Sequence, residues 1–416
     1  MEVYSVVITL LAVAVGLSPV AVKMRLPYPI LLLIAGIAVG FIPGFHRISI
    51  NPEVVFLLFL PPMLYDAAYN IPFKDFKTNL PTISLLAVTL VFITTVGIAV
   101  VAHYCIAGMA WPLAFVLGAI LSPPDAIAAA GVTRGLGLSH RTSAILEGES
   151  LVNDASALVA FRFAVATVAG TTFIPWKAGM MFLLALVGGL FVGWVIWFIF
   201  IYIVKRKWMD GNVTVTLNLM LPFVAYLLAE EVHVSGVIAV VTTGLIVARH
   251  KDKFSKQTVI QSKSVWDTTI FILGGLVFIL IGLEFPHVLK SITPDTILPL
   301  IGCAFLIFFV ALLIRMAIIF WHKQEVDKRI AAFTHIRKRR PVLRKMDNPM
   351  KHLEPLSFKD CFIIGWSGMR GIVSLAAALS LPLLMADGTA FPLRDTIIFL
   401  TVAVVIIMLT VQGLGL

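Results

Sequence analysis

The residues best able to do chemistry lie in one run, 147–156, which reads Glu-Gly-Glu-Ser-Leu-Val-Asn-Asp-Ala-Ser. The surrounding stretch is apolar enough to cross a membrane, where a charged group costs several kcal/mol. Residues four apart share a helix face, so Ser150 points with Asp154, and Glu149 with Asn153 on a face rotated by about 100°. The first pair predicts hard oxygen ligands for a small cation such as Na⁺ or Li⁺.

A second apolar segment is interrupted at 122–125, which reads Ser-Pro-Pro-Asp. Proline removes a backbone donor, so a carbonyl freed at Pro124 can face an ion. Asp125 adds another acid inside the membrane. We expect Asp125 and the Pro124 carbonyl to join Ser150 and Asp154 as ligands. Asp125 is also placed to cap the second half of its broken helix, which does not exclude contact with the ion.

Composition defines the class of protein. Of the 416 residues, 60% are hydrophobic and only 13% are charged, against about 25% charged in soluble domains. Apolar runs of roughly 20 residues recur along the chain, each long enough to span the bilayer core. The three cysteines show no metal-ligand spacing, and residues 1–5 lack the basic region of a cleavable signal. The sequence therefore predicts an all-α polytopic membrane protein.

Apolar runs between clusters of charged or turn residues predict about thirteen spans within one transmembrane unit, 1–416. They cover residues 3–22, 28–44, 53–71, 80–105, 111–133, 142–168, 175–204, 212–231, 234–249, 263–284, 295–321, 358–384 and 395–416.

Lys and Arg concentrate in alternate connections, above all in a basic loop predicted at 322–357, whose residues 336–340 read Ile-Arg-Lys-Arg-Arg. By the positive-inside rule, these connections are cytoplasmic, with the N-terminus outside and the C-terminus inside a plasma or inner membrane. We expect the basic loop to contact anionic lipid headgroups rather than nucleic acid.

A second break, at 365–371, reads Gly-Trp-Ser-Gly-Met-Arg-Gly. If the span at 175–204 is a linker, the other spans form two inverted six-helix repeats, each interrupted in its fifth helix. Matched broken helices indicate a transport site near the membrane midplane. An ordinary Pro or Gly kink at each position is the alternative.

Other polar and charged residues inside or beside the apolar runs have expected roles as well. An unpaired buried charge would be prohibitive, so the Glu149 and Asn153 face predicts a brace against Arg370 in the second break. Glu147 is expected to line a funnel at the cytoplasmic mouth. Asp66 either supports the site or caps a helix. Arg162 and Arg315 are expected to extend to the membrane interface.

Several of these motifs together resemble one family. The run at 149–154 is similar to the Asn-Asp signature of the Na⁺/H⁺ exchangers among the cation/proton antiporters, of the electroneutral type. The two breaks resemble the unwound segments of that family's broken helices. Shorter matches follow the family's order at 61–66, 234–237, 280–283 and 411–413. Where many members have Thr, this chain has Pro124, which leaves only a carbonyl there.

The resemblance implies a thirteen-helix inverted-repeat fold with crossed broken helices and a homodimer. It implies scaffold and dimerisation helices at 1–71 and 212–284, and an ion-translocating core at 80–168 and 295–416. It further implies roles for individual residues: Asp154 carries Na⁺ or H⁺, Asp125 and Ser150 are co-ligands, and Glu149, Asn153 and Arg370 join the two broken helices.

The resulting hypothesis is a Na⁺/H⁺ antiporter for pH homeostasis, not an enzyme and without a cofactor beyond its transported ions. Desolvation disfavours the charged form of Asp154, so H⁺ and Na⁺ can compete for its oxygens. Because Asn153 stands where a second acid could, 1:1 electroneutral exchange is favoured. The alternatives are a K⁺/H⁺ or Li⁺-preferring antiporter, an intramembrane protease using Asp125 and Asp154, and a proton-coupled sensor without turnover.

Overall fold

The computed structural model describes residues 3–24, 28–42, 52–125, 138–170, 175–205, 210–339, 356–385 and 388–415. Helices account for nearly all of this part of the chain, with one isolated bridge between Leu384 and Ala390. A helix satisfies its backbone donors and acceptors internally, as a bilayer requires. Seven described helical stretches are long and apolar enough to cross a membrane, and four shorter apolar helices accompany them. The count of thirteen spans stays a prediction.

We number the α-helices of the described residues in chain order. They are α1 (Val3–Met24), α2 (Tyr28–Gly40), α3 (Pro52–Asn70), α4 (Phe73–Ser84), α5 (Val91–Cys105), α6 (Trp111–Leu121), α7 (His140–Val168), α8 (Pro175–Val204), α9 (Gly211–Glu231), α10 (Gly236–Arg249), α11 (Lys256–Ser291), α12 (Pro294–Arg339), α13 (Phe358–Trp366), α14 (Ile372–Leu379) and α15 (Arg394–Leu414). A π-helical segment, Leu85–Leu90, joins α4 and α5 into one continuous helix.

The predicted loop at 322–357 is wrong in its first half. Helix α12 is 46 residues long and runs unbroken to Arg339, about 69 Å at 1.5 Å per residue, so it projects well beyond a bilayer core. The charged residues that mark the membrane exit also stabilise the helix, because they pair four residues apart, as Lys323 does with Asp327 at 2.6 Å. Residues 340–355 lie outside the described residues.

The helices pack in two groups. The first bundle contains α1–α3 and α8–α11, and the second contains α4–α7 and α12–α15. Close backbone contact holds α2 against α11: a methyl group on Gly282 would lie 2.8 Å from the Cα of Gly36. Small residues at such crossings let membrane helices pack without a hydrophobic driving force.

Helix α7 contacts both groups, as α14 and α15 also do. It packs against α4, α5 and α6 of its own bundle and reaches α3 and α10 of the first. Its polar side chains therefore lie in the second bundle, close to the boundary between them. Large apolar side chains of α8, such as Leu184 and Phe191, are exposed on the outside of the first bundle, as lipid contact requires.

Candidate ion-binding site

Both predicted helix breaks are present, and they meet. Helix α6 ends at Leu121, and α13 ends at Trp366 before α14 begins at Ile372. The backbone N–H of Asp125 donates to the carbonyl of Met369 at 2.7 Å, so the two interrupted backbones lie against each other. Residues 126–133, the remainder of the first interrupted span, lie outside the described residues.

Asp125 caps the other broken helix. Its Oδ2 accepts a hydrogen bond from the backbone N–H of Ile372 at 2.9 Å, at the start of α14. A helix N-terminus carries partial positive charge, which stabilises a carboxylate. The predicted cap on the second half of its own span falls outside the described residues. Gly371 makes this arrangement possible, because a Cβ there would overlap the Asp125 carboxylate.

Helix α7 presents its polar side chains to the carbonyl of Pro124. The Oγ of Ser150 donates to that oxygen at 3.4 Å, and the Nδ2 of Asn153 donates at 3.1 Å. The predicted freed carbonyl is therefore at the centre of the cluster. The assignment of Asn153 to a brace with Glu149 is wrong in this structure, since its side chain turns toward the first break.

Asp154 lies beside this cluster and is 6% exposed, while Ser150 is 9% exposed. Asp154 accepts no hydrogen bond from the described residues, and its charge interacts with that of Asp125. Two carboxylates in a low-dielectric site repel each other unless a proton or cation neutralises one of them. Within the described residues, no three His, Cys, Asp or Glu side chains converge as they would on a resident metal ion.

The partner of Glu149 is Arg315. Glu149 and Arg315 are 1% and 2% exposed, and two guanidinium N–H groups donate to the two carboxylate oxygens, the longer bond being 2.8 Å. Glu149 is therefore bound directly by Arg315 and not by Arg370, whose charge still interacts with that of Glu149. The expectation that Arg315 extends to the interface is wrong. Arg315 lies mid-helix because α12 continues far beyond it, and its Nε also donates to the carbonyl of Ile364 at 3.0 Å.

Arg370 joins the two breaks through backbone carbonyls. Its Nε donates to the carbonyl of Leu121 at 2.7 Å, and Nη1 and Nη2 donate to those of Gly368 and Ser122 at 2.6 and 3.3 Å. The last carbonyls of a helix have no partner within that helix. Arg370, 2% exposed, thus supplies donors to the end of α6 and the start of the second break.

Glu147 and Asp66 lie apart from these contacts. Glu147 is exposed near the N-terminal end of α7. Asp66 belongs to the first bundle, where its Oδ1 accepts from the Nδ2 of Asn70 at 2.8 Å, and its charge interacts with those of Asp267 and Lys251. The described contacts do not place Asp66 with Asp154.

A polar band that the sequence interpretation missed joins the N-terminal end of α7 to its bundle. The Oγ1 of Thr142 donates to the Oδ1 of Asp360 at 2.8 Å, and the Nε of Arg141 donates to the Oδ1 of Asn79 at 3.0 Å. Asp360 also closes a capping box with Ser357 at the start of α13. The Ser-x-x-Asp spacing of that box is a sequence signal that could have located the helix start.

Arg162, expected at the interface, is half-exposed and forms a second ion pair, with Glu230 of α9 at 2.8 Å. Nothing in the local sequence links these residues, which are 68 positions apart.

Comparison with known proteins agrees with this geometry. A family model described as "Sodium/hydrogen exchanger, transmembrane" matches residues 6–416. A sodium, potassium, lithium and rubidium/H⁺ antiporter of Bacillus pumilus is 33% identical over 98% of this chain and 60% of its own length. The Na⁺/H⁺ antiporter ApNhaP of Aphanothece halophytica is 32% identical over 94% of this chain and 68% of its own length. This chain spans about 60% of the length of the Bacillus relatives.

Among solved structures, the sodium proton antiporter MjNhaP1 from Methanocaldococcus jannaschii has the same fold. Its TM-score is 0.73 at 17% sequence identity, over 99% of this chain and 97% of that one. The predicted all-α membrane fold is confirmed by this likeness.

Proposed function

This chain belongs to the transmembrane sodium/hydrogen exchanger family, and on that premise we propose that it is a Na⁺/H⁺ antiporter whose carrier is Asp154. The observation that carries the proposal is a buried carboxylate, Asp154, beside hard oxygen groups at the meeting point of two interrupted helices. The oxygens are those of Asp125, Ser150 and the Pro124 carbonyl. They are of the type that hard cations prefer.

The mechanism follows from competition for one carboxylate. Burial disfavours a charged and unpartnered Asp154, so the site is stable when Asp154 holds either H⁺ or Na⁺. Ser150 and Pro124 offer neutral oxygens to the cation, and Asp125 adds negative charge while α14 stabilises it. If only the neutralised site crosses between the two facings, inward movement of one ion requires outward movement of the other.

The charge count favours 1:1 electroneutral exchange. Asn153 is neutral and donates to the Pro124 carbonyl, so Asp154 is the one residue proposed to exchange its proton. Each half-cycle then moves a neutralised carboxylate, and no net charge crosses. We infer further that K⁺ or Li⁺ could replace Na⁺, because the Bacillus pumilus relative is named for sodium, potassium, lithium and rubidium.

The family consists of exchangers, which argues against the intramembrane protease alternative.

We propose that the first bundle forms the dimer scaffold and the second bundle carries the ion. The basic N-terminal end of α7 would face the cytoplasm, with the N-terminus of the chain outside. The basic extension of α12 would lie at anionic headgroups.

The test is pH-driven ²²Na⁺ uptake into proteoliposomes. Wild-type protein should exchange Na⁺, and Asp154→Asn should abolish exchange because it removes the carrier charge while keeping the shape. Asp125→Asn should weaken the apparent Na⁺ affinity and slow turnover. The matched control is Asp252→Asn, an exposed aspartate outside the bundles' interior, which should exchange at the wild-type rate. Sustained exchange by folded Asp154→Asn would disprove the assignment.

Stoichiometry is tested by voltage, set with K⁺ and valinomycin once K⁺ itself is shown not to be exchanged. A cycle moving one net charge would feel about 2.3 kcal/mol per 100 mV. The Na⁺ gradient that balances a given pH gradient should not change with voltage. A voltage-dependent balance would mean that a second proton travels, on Asp125 or Glu147.

A further inference from the structure

An arginine–carboxylate pair joins the two bundles at the C-terminal ends of α7 and α9. The Nη1 of Arg162 donates to the Oε2 of Glu230 at 3.0 Å, and its Nη2 donates to Oε1 at 2.8 Å and to the Tyr226 hydroxyl at 3.4 Å. Among the ion pairs of the described residues, the others lie within the second bundle. Among the described residues, the Arg162–Glu230 pair is the one ion pair that connects the two bundles.

Glu230 is held in place by its own bundle. Its Oε1 accepts a hydrogen bond from the backbone N–H of Gly236 at 3.1 Å, at the start of α10. A Cβ on Gly236 would approach that oxygen to 2.9 Å, so the glycine leaves room for the carboxylate. The turn between α9 and α10 therefore positions the acid independently of Arg162, and the acid stays in place if α7 moves.

The pair lies beyond the proposed ion site on the same helix. Arg162 follows Asp154 by eight residues, about 12 Å along the axis of α7. Between them, Leu158 and Phe161 are 4% and 8% exposed, and α7 packs against α10 of the first bundle. Buried apolar side chains therefore lie along α7 between Asp154 and the ion pair.

The pair is also weak enough to open. The side chains of Arg162 and Glu230 are 48% and 31% exposed, and an ion pair in such surroundings contributes little to stability. Its bidentate geometry still favours one relative position of the two helices.

From these contacts we propose that Arg162 and Glu230 form a latch that closes the outer end of the boundary between the bundles. When the latch is closed, ions on the membrane side opposite the N-terminal end of α7 cannot reach Asp154. The latch must therefore separate once in each transport cycle. This inference rests on the proposed antiport function, since only alternating access requires the two ends of the boundary to open in turn.

Accessibility of a reporter cysteine tests the latch without transport. The native cysteines are replaced (Cys105→Ser, Cys303→Ala, Cys361→Ala). Val237→Cys, at the start of α10 beside Gly236 and 3% exposed in this structure, is labelled with a membrane-impermeant maleimide from the outer side. Arg162→Gln and Glu230→Gln should each speed labelling roughly two- to fivefold, the factor that an exposed ion pair supplies. In Glu230→Gln, the amide oxygen of the new side chain can still accept from the backbone N–H of Gly236.

The double variant should label no faster than either single variant, because both remove the same contact. The control, Glu325→Gln, breaks an exposed pair with Arg329 inside α12 and should leave labelling unchanged. Equal labelling in the parent and all latch variants would overturn the proposal.

A second measurement uses Arg162→Cys with Glu230→Cys and a reducible thiol cross-linker in proteoliposomes. Cross-linking should stop ²²Na⁺ exchange, and reduction should restore it. Exchange at the full rate while cross-linked would overturn the latch. Absence of exchange in the reduced wild-type protein would instead contradict the proposed function, while the labelling result would still decide whether the boundary opens.

Discussion

The described residues include two bidentate arginine–carboxylate pairs that differ in burial. Arg315 and Glu149 are almost fully buried within the second bundle, whereas Arg162 and Glu230, across the boundary between the bundles, are 48% and 31% exposed. Separating a buried pair strands a charge away from water, but separating an exposed pair lets water replace the partner. The same chemistry can therefore fix one part of the protein permanently and release another in every cycle.

The largest expected effect comes from breaking the buried pair. Glu149→Gln or Arg315→Gln should each cost about 3–5 kcal/mol, since the remaining charge is left uncompensated. Thermal unfolding in detergent measures the loss. The double variant should lose less than the sum of the single losses. A strictly additive result would show that the two charges do not interact.

Arg370 provides an intermediate case, a buried arginine bound by carbonyls rather than by an acid. Arg370→Lys keeps the charge but not the planar fork that reaches Leu121, Ser122 and Gly368, and should cost about 1.5–3 kcal/mol. The matched control is Arg394→Lys, a less buried arginine that donates to the Leu381 carbonyl at 3.1 Å. Its melting temperature should fall less. An equal fall in both variants would contradict the bridging role of Arg370.

Gly371→Ala tests the contact between the breaks without changing any charge. The added methyl group overlaps the Asp125 carboxylate, so the cap on α14 should be lost at a cost of about 0.5–2 kcal/mol. The apparent Na⁺ affinity should fall with it. Gly302→Ala is the control, because a Cβ at that position in α12 meets nothing within 4 Å. An unchanged apparent Na⁺ affinity in Gly371→Ala would show that the capped Asp125 does not contribute to ion binding.

The smallest expected effect on stability is that of Arg162→Gln. The exposed pair should contribute less than about 1 kcal/mol, and the difference from wild type should vanish at about 1 M salt, where the screening length is near 3 Å. Melting temperatures at low and high salt measure this. A salt-independent loss as large as that of Arg315→Gln would mean that the boundary is permanently closed.

Much of the architecture was predictable from sequence. Apolar runs located the helices, and the Pro-Pro pair and the glycine-rich run located both breaks, because proline removes a backbone donor and glycine destabilises a helix. Proline alone does not decide a break, since Pro61 and Pro62 lie inside the continuous helix α3. The Ser150 and Asp154 face was also predictable from helical periodicity. The end of α12 was not predictable from sequence, because the charged residues that mark the exit from the membrane are equally compatible with a helix that continues into water.

What the sequence determined by itself is which charged groups of the two breaks and α7 are buried, namely Glu149, Asp154 and Arg370. Which groups Glu149 and Arg370 contact was decided by the tertiary structure. Arg315 lies in an apolar helix and Arg370 in a break between two apolar helices, and local pattern cannot tell which of them reaches Glu149. The meeting of the two breaks decides it, because the carbonyls at the end of α6 take the donors of Arg370 and leave Arg315 for the acid.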